Sequence, residues 1–197
     1  MPLTSIAVRL KRLGCLAGWV LCGVVPLAAA AESPRVVSPA PLQAIERLDV
    51  ARYMGTWFEI AKYPNRFQRQ CAAGTQARYR LLDAGTLEVV NRCRNANGES
   101  VEAVGRARQV GPSDSARLKV RFAPAWLSFL PMVWGDYWVI DLDEDYQLAA
   151  ISEPGRQYLW ILSRTPKVDA ARYQQLLGRL RQKGFDLERL EASPPDE

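Results

Sequence analysis

TQARYRLLDAGTLEVVNRC, residues 75–93, alternates apolar and polar side chains on either side of Asp83-Ala84-Gly85. Successive side chains of a strand point to opposite faces, so the alternation predicts two strands, 75–81 and 87–93. Asp and Gly between them supply the turn, making the pair a hairpin. The same period of two recurs in Gly55 to Tyr63, Val101 to Val110, Leu118 to Phe122, Tyr137 to Leu142, Leu148 to Ser152 and Tyr158 to Ser163. Eight short strands at this spacing predict an all-β fold, an eight-stranded up-and-down antiparallel β-barrel. Thr165-Pro166 ends the last strand, and the period then changes. Tyr173, Leu176, Leu177 and Leu180 recur at helical spacing after Asp169, a residue suited to start a helix, and Gly184 supplies the stop. One C-terminal α-helix is therefore expected outside the barrel.

Composition narrows the chemistry. The chain has 197 residues, a formal charge of +5, four Cys and no His. Without His, Ser-His-Asp and Cys-His catalysis and His-containing metal sites are excluded. The Cys at 15, 22, 71 and 93 are too unevenly spaced for paired zinc knuckles. No metal or cofactor is expected. Residues 1–31 read as a cleaved signal peptide: Arg9, Lys11 and Arg12, an apolar run from Leu13 to Leu27, then four alanines. A lipid-anchored start at Cys22 is disfavoured, because bulky Val20 and Leu21 precede it where small residues are required. Loss of residues 1–31 removes three cations and no acid, so the mature charge falls to +2 and loses its suggestion of a nucleic-acid partner. It leaves Cys71 and Cys93, which in an exported chain are expected to form one disulfide. Residues 32–46, rich in Pro and Ser, read as an extended linker. The barrel and helix span 47–190, and 191–197 reads as a flexible tail.

Three features in order resemble the lipocalin family. Gly55-Thr56-Trp57 lies on the first strand after Tyr53, Asp143 follows the sixth, and Arg164 ends the eighth in YLWILSRTP. Within the family, GTWFEIAKYPNRF and YLWILSRTP resemble the bacterial lipocalins and their relative apolipoprotein D. The resemblance covers roughly residues 45–190. It implies a calyx that holds a small hydrophobic ligand, with Gly55, Trp57, Asp143 and Arg164 as structural residues. Arg164 would stack on Trp57 to plug the closed end. One departure concerns the turn after the sixth strand: many members have Asp-Tyr, but here Glu144 follows Asp143 and the tyrosine comes at 146.

Barrel alternation assigns an interior. Val89 and Asn91 face inward on the third strand, Ala103 on the fourth, Val120 and Phe122 on the fifth. Tyr137, Val139 and Ile151 face inward on the sixth and seventh, Tyr158 and Trp160 on the eighth. Small residues at 103, 105 and 107 are expected to leave room on one wall. Leu159 and Ile161 are expected outside, under the helix. Tyr158 and Trp160 match positions the family uses to line its pocket, and Asn91 and Tyr137 are polar tips able to orient a head group. A solid, ligand-free core is the competing reading of the same residues.

The loops after strands one, three, five and seven surround the mouth. One carries Phe67, a further candidate for ligand contact, with Arg66 and Arg69 suited to a phosphate or carboxylate. Another, Ala123 to Gly135, is strongly apolar and includes Trp126 and Trp134. A lid, a membrane contact and a homodimer interface all remain open for it. Three functions compete: a non-enzymatic carrier of fatty acids or lysophospholipids in the periplasm or at the outer membrane, implied by the resemblance; an envelope enzyme using Glu59, Glu102 or Asp141; and a protein-interaction module using the apolar mouth loop.

Overall fold

The computed structural model describes residues 40–83 and 85–196. The signal segment 1–31, Cys22 and the first part of the linker lie outside the described residues. Eight antiparallel strands run β1 (Gly55–Lys62), β2 (Ala73–Asp83), β3 (Thr86–Arg94), β4 (Ser100–Gln109), β5 (Arg117–Arg121), β6 (Gly135–Leu142), β7 (Leu148–Ser152) and β8 (Leu159–Ser163). Each pairs with the next, and β1 pairs with both β8 and β2, which closes the barrel. A one-turn helix α1 (Val50–Tyr53) precedes β1, and helix α2 (Ala170–Gln182) follows β8. Asp169 caps α2 by accepting from the Arg172 N–H, as its sequence position suggests.

The sheet separates two apolar clusters. Inside lie Trp57, Tyr79, Leu87, Val89, Leu118, Val139, Ile151 and Leu162. Outside, Leu159 and Ile161 pack with Ile140, Leu148, Leu176, Leu180 and Phe185 beneath α2. The helix thus covers the outward apolar face of β6–β8, as the alternation requires.

Two of the register shifts between strands turn side chains to the other face of the sheet. One, between Glu59 and Ala61, keeps Glu59 on the inner side with Trp57 but turns Ala61 and Tyr63 outward toward α2. The other, between Val139 and Asp141, places Asp141 outside, where Arg179 holds it. Asp141 is therefore not an interior acid.

Both ends of the described segment are docked more firmly than the sequence suggests. Residues 40–46 lack regular structure, yet Leu42 is buried under α2 and the Ile45 N–H donates to the Val139 carbonyl at 2.9 Å. At the other end Glu191–Ala192 forms a ninth strand, β9, against β1. The Ser193 N–H donates to the Ile60 carbonyl and the Gly74 N–H to the Pro194 carbonyl, both at 2.9 Å. Direct β1–β2 pairing extends only from Gly55↔Tyr79 to Phe58↔Gln76, so this tail fills the seam nearer the mouth. The backbone groups left free by the splaying of β1 from β2 explain why it docks.

Candidate ligand-binding calyx

The closed end is built around Trp57. Its indole is fully buried and its Nε1–H donates to the Tyr53 carbonyl at 2.9 Å. The Arg164 guanidinium lies 4.0 Å from the ring centroid and donates to the carbonyls of Thr56 (3.0 Å) and Arg52 (2.7 Å). Gly55 has φ +98°, and a Cβ there would stand 3.2 Å from Arg164 Nη1, so a side chain would be strained and crowd the plug. Asp143 accepts from the backbone N–H groups of Gln147 (2.6 Å) and Leu148 (2.8 Å). Tyr146 takes a left-handed backbone, φ 60°. Its ring lies beneath Arg52 and its hydroxyl accepts from the Asp49 N–H. The displaced tyrosine therefore still packs the turn.

The inner face changes character with height. Near the closed end Leu87, Ala107, Leu118, Val139, Ile151 and Leu162 are buried against one another. Toward the mouth Asn91, Val120, Tyr158 and Trp160 are half-buried, Ala103 is exposed and Phe122 is 43% exposed, and the half-buried Tyr137, opposite Leu118, marks where the open part begins. Inward-facing side chains retain accessible surface only where the interior is open. The barrel is thus filled below and open above, and the solid-core reading describes only its lower half. The room expected at Gly105 is taken from across the wall: a Cβ there would lie 2.8 Å from the Phe122 ring.

An aromatic edge runs along the mouth. Phe67 lies 5.5 Å from Tyr158, and Tyr158 stacks on Trp160 at 5.8 Å between centroids. Trp160 Nε1–H donates to Gln68 Oε1 (2.9 Å), and Gln68 Nε2–H donates to Glu59 Oε2 (2.5 Å). Glu59 also accepts from Lys62 (3.0 Å) and Ser193 (2.6 Å). The Cys71–Cys93 disulfide, with Cα atoms 5.5 Å apart, ties the loop bearing Phe67 and Gln68 to β3. Arg66 and Arg69 on that loop are exposed. Asn91 lies on the inner face opposite Ala77 and Ala103.

Tyr137 is not the free polar tip expected of it. Its hydroxyl is hydrogen-bonded to those of Tyr53 and Tyr79, each at 2.8 Å. Burial pushes all three phenols up, Tyr79 to about 12. The sequence offered little sign of this cluster, because Tyr53 sits on a single helical turn without a pattern of its own.

The loop between β5 and β6 forms two short 3₁₀ turns, Ala125–Leu127 and Pro131–Val133. Trp126, Phe129 and Met132 are 72, 74 and 87% exposed, so their side chains do not close over the calyx as a lid. Trp134 instead folds back between Arg108 and Arg121, whose guanidinium carbons lie 4.5 and 5.2 Å from its centroid.

The acids considered for catalysis are dispersed and engaged. Glu59 is in the seam network, Glu102 pairs with Arg92 on the surface at 2.5 Å, and Asp141 pairs with Arg179 outside the barrel. Among the described residues no group of acids and cysteines could hold a metal ion.

A closed barrel with a plugged floor, an open upper interior and an aromatic mouth defines a calyx-type binding protein. The chain belongs to the lipocalins: the family model described as a lipocalin-like domain matches residues 48–195. Temperature-induced lipocalin-1 of Arabidopsis thaliana is 43% identical over 155 residues, 78% of this chain and 82% of that protein. Outer membrane lipoprotein Blc of Escherichia coli K12 is 38% identical over 172 residues, 83% and 93% of the two chains. The solved structure of insecticyanin from Manduca sexta superposes with a TM-score of 0.62 at 18% identity, covering 81% of this chain and 87% of that one. Members of the family bind small hydrophobic ligands and are typically binding or transport proteins.

Proposed function

We propose that this protein is a non-enzymatic carrier of fatty acids or lysophospholipids in the cell envelope, where it serves membrane maintenance. The graded interior is the observation that carries the reading. Buried apolar residues close the floor, while the inward residues Ala103, Val120, Phe122, Tyr158 and Trp160 retain accessible surface above it. An acyl chain lying against these walls gains about 0.8 kcal/mol per buried CH₂, so affinity needs few specific hydrogen bonds. Arg66 and Arg69, exposed beside the aromatic edge, suit the carboxylate or phosphate left at the mouth.

Trp126, Phe129 and Met132 project from the same rim. Exposed apolar tips on a loop whose Trp134 packs against Arg108 and Arg121 fit a bilayer interface bearing anionic lipid, so this loop is proposed to touch the membrane while lipid is exchanged. Export is supported by the basic, apolar and small-residue order of positions 1–31 and by the disulfide. The relative Blc is itself named an outer membrane lipoprotein.

Native mass spectrometry on protein purified from the periplasm, with extraction of bound lipid, tests the carrier reading. A fatty acid or lysophospholipid should co-purify, and added ligand should quench tryptophan fluorescence. Recovery of no lipid together with no quenching would sink it, and turnover of the lipid would make the protein an enzyme. Co-sedimentation with phosphatidylglycerol vesicles should fall for Trp126→Ser/Phe129→Ser. Unchanged sedimentation, or a dimer by light scattering that these substitutions dissolve, would overturn the membrane contact.

A further inference from the structure

Tyr53 on α1, Tyr79 on β2 and Tyr137 on β6 are far apart in sequence, yet their hydroxyls meet at the closed end of the calyx. Tyr137 Oη lies 2.8 Å from both Tyr53 Oη and Tyr79 Oη. Each neutral phenol carries one donatable proton. Burial pushes all three above their usual value, so all three stay protonated at physiological pH. A chain of three hydroxyls therefore holds three protons and makes two hydrogen bonds. However the protons are arranged, one O–H finds no acceptor within the cluster. No other acceptor among the described residues is hydrogen-bonded to these hydroxyls. Tyr53 and Tyr79 are buried, whereas Tyr137 keeps part of its surface accessible on the inner wall.

We propose that the Tyr53–Tyr137–Tyr79 cluster is a binding subsite at the calyx floor for a neutral oxygen acceptor, a hydroxyl, ketone or ester oxygen at the inner end of an otherwise apolar ligand. Tyr53 and Tyr79 donate to Tyr137, and Tyr137 turns its own proton to the ligand. The surroundings set the rest of the chemistry. Trp57, Leu118, Val139 and Ile151 make the neighbouring surface apolar, so the body of the ligand is apolar too. A carboxylate is disfavoured at this depth, because the Glu59 charge reaches Tyr79 and the three phenols are uncharged. This subsite rests on the carrier reading and narrows it: with the head group at the mouth, the ligand it recognises bears a hydroxyl, keto or ester oxygen at the far end of its chain, where an unsubstituted fatty acid presents only a methyl group.

Binding of 2-dodecanone and dodecane, measured by headspace partition over the protein, tests the subsite. The ketone should be retained in preference to the alkane by a factor roughly three- to tenfold larger in the native protein than in Tyr53→Phe/Tyr79→Phe/Tyr137→Phe. Tyr53→Phe alone leaves two hydroxyls, one hydrogen bond and one spare proton, so it should keep the preference. A merely structural cluster has no reason to behave this way. A second measurement needs no variant: the infrared stretch of ¹³C-carbonyl 2-dodecanone bound to native protein should shift to lower wavenumber than in hexane. An unshifted band, or an equal preference in native and triple-variant proteins, overturns the proposal and leaves the spare proton to water. Failure of native protein to take up either compound would overturn the carrier reading and the subsite with it.

Discussion

Trp57 and Trp160 both point into the barrel, and their surroundings give them opposite tasks. Trp57 has no accessible surface and carries Arg164 on its face. Trp160 is half-buried on an open wall and is held through Gln68. Trp57→Ala should therefore destabilise the fold by about 3–5 kcal/mol, the usual cost of emptying a large aromatic site. Trp160→Ala should cost much less stability but weaken fluorescence quenching by a bound fatty acid. Urea titration of both variants, with quenching measured on each, separates the roles; equal stability losses would contradict the assignment. The pair also shows what single residues disclose. The Trp57–Arg164 plug was legible through the family resemblance, and Trp160 through alternation counted back from Arg164. The Glu59–Gln68–Trp160 chain was not, because Gln68 reaches the other two from a loop whose path no periodicity describes.

Strands and the main helix were legible because period two and period 3.6 are direct consequences of burial on one face. Bulges and short docking segments carry no such period. The bulge at Glu59/Ala61 resets which side chains meet α2, and nothing in GTWFEIAKY marks it. The tail is similar: Ser193-Pro194-Pro195 reads as loose chain, yet unpaired backbone at the β1–β2 seam captures it. Truncation after Leu190 would remove β9 and the acceptor of the Gly74 N–H. Hydrogen exchange at Gly74 should then become markedly faster while amides under α2 stay protected. Glu59 would also lose the Ser193 hydroxyl, and the thermal midpoint should fall by a few degrees, as expected for a loss of about 1 kcal/mol. Unchanged exchange at Gly74 would show that the seam closes without the tail.

At the scale of the barrel a buried floor is joined to an open rim, and two solution variables act on them separately. The disulfide acts at the rim. It spans a sequence separation of 22, so reduction should lower stability by roughly 3 kcal/mol through the entropy restored to the unfolded chain. Denaturant unfolding with and without dithiothreitol measures this loss. Ligand quenching should weaken as well, since the loop carrying Phe67 and Gln68 loses its anchor to β3.

Alkali acts at the floor. The phenols of Tyr53, Tyr79 and Tyr137 are raised in the folded protein chiefly by burial. In the unfolded chain a tyrosine deprotonates near its ordinary value of about 10. Above that pH the unfolded state binds fewer protons than the folded one, so stability must fall as pH rises. The contribution is intact below about pH 10. It is lost progressively as pH rises through the folded value, which for Tyr79 is about 12. Tyr79 alone would account for a loss on the order of 2 kcal/mol across that window, with the other two adding in the same direction. Urea midpoints at pH 9 and pH 11 should therefore drop more steeply for native protein than for Tyr53→Phe/Tyr79→Phe/Tyr137→Phe, which has no buried phenol at the floor to ionise. Parallel slopes for the two proteins would mean that these hydroxyls are already open to solvent, and with that the closed floor itself would be wrong.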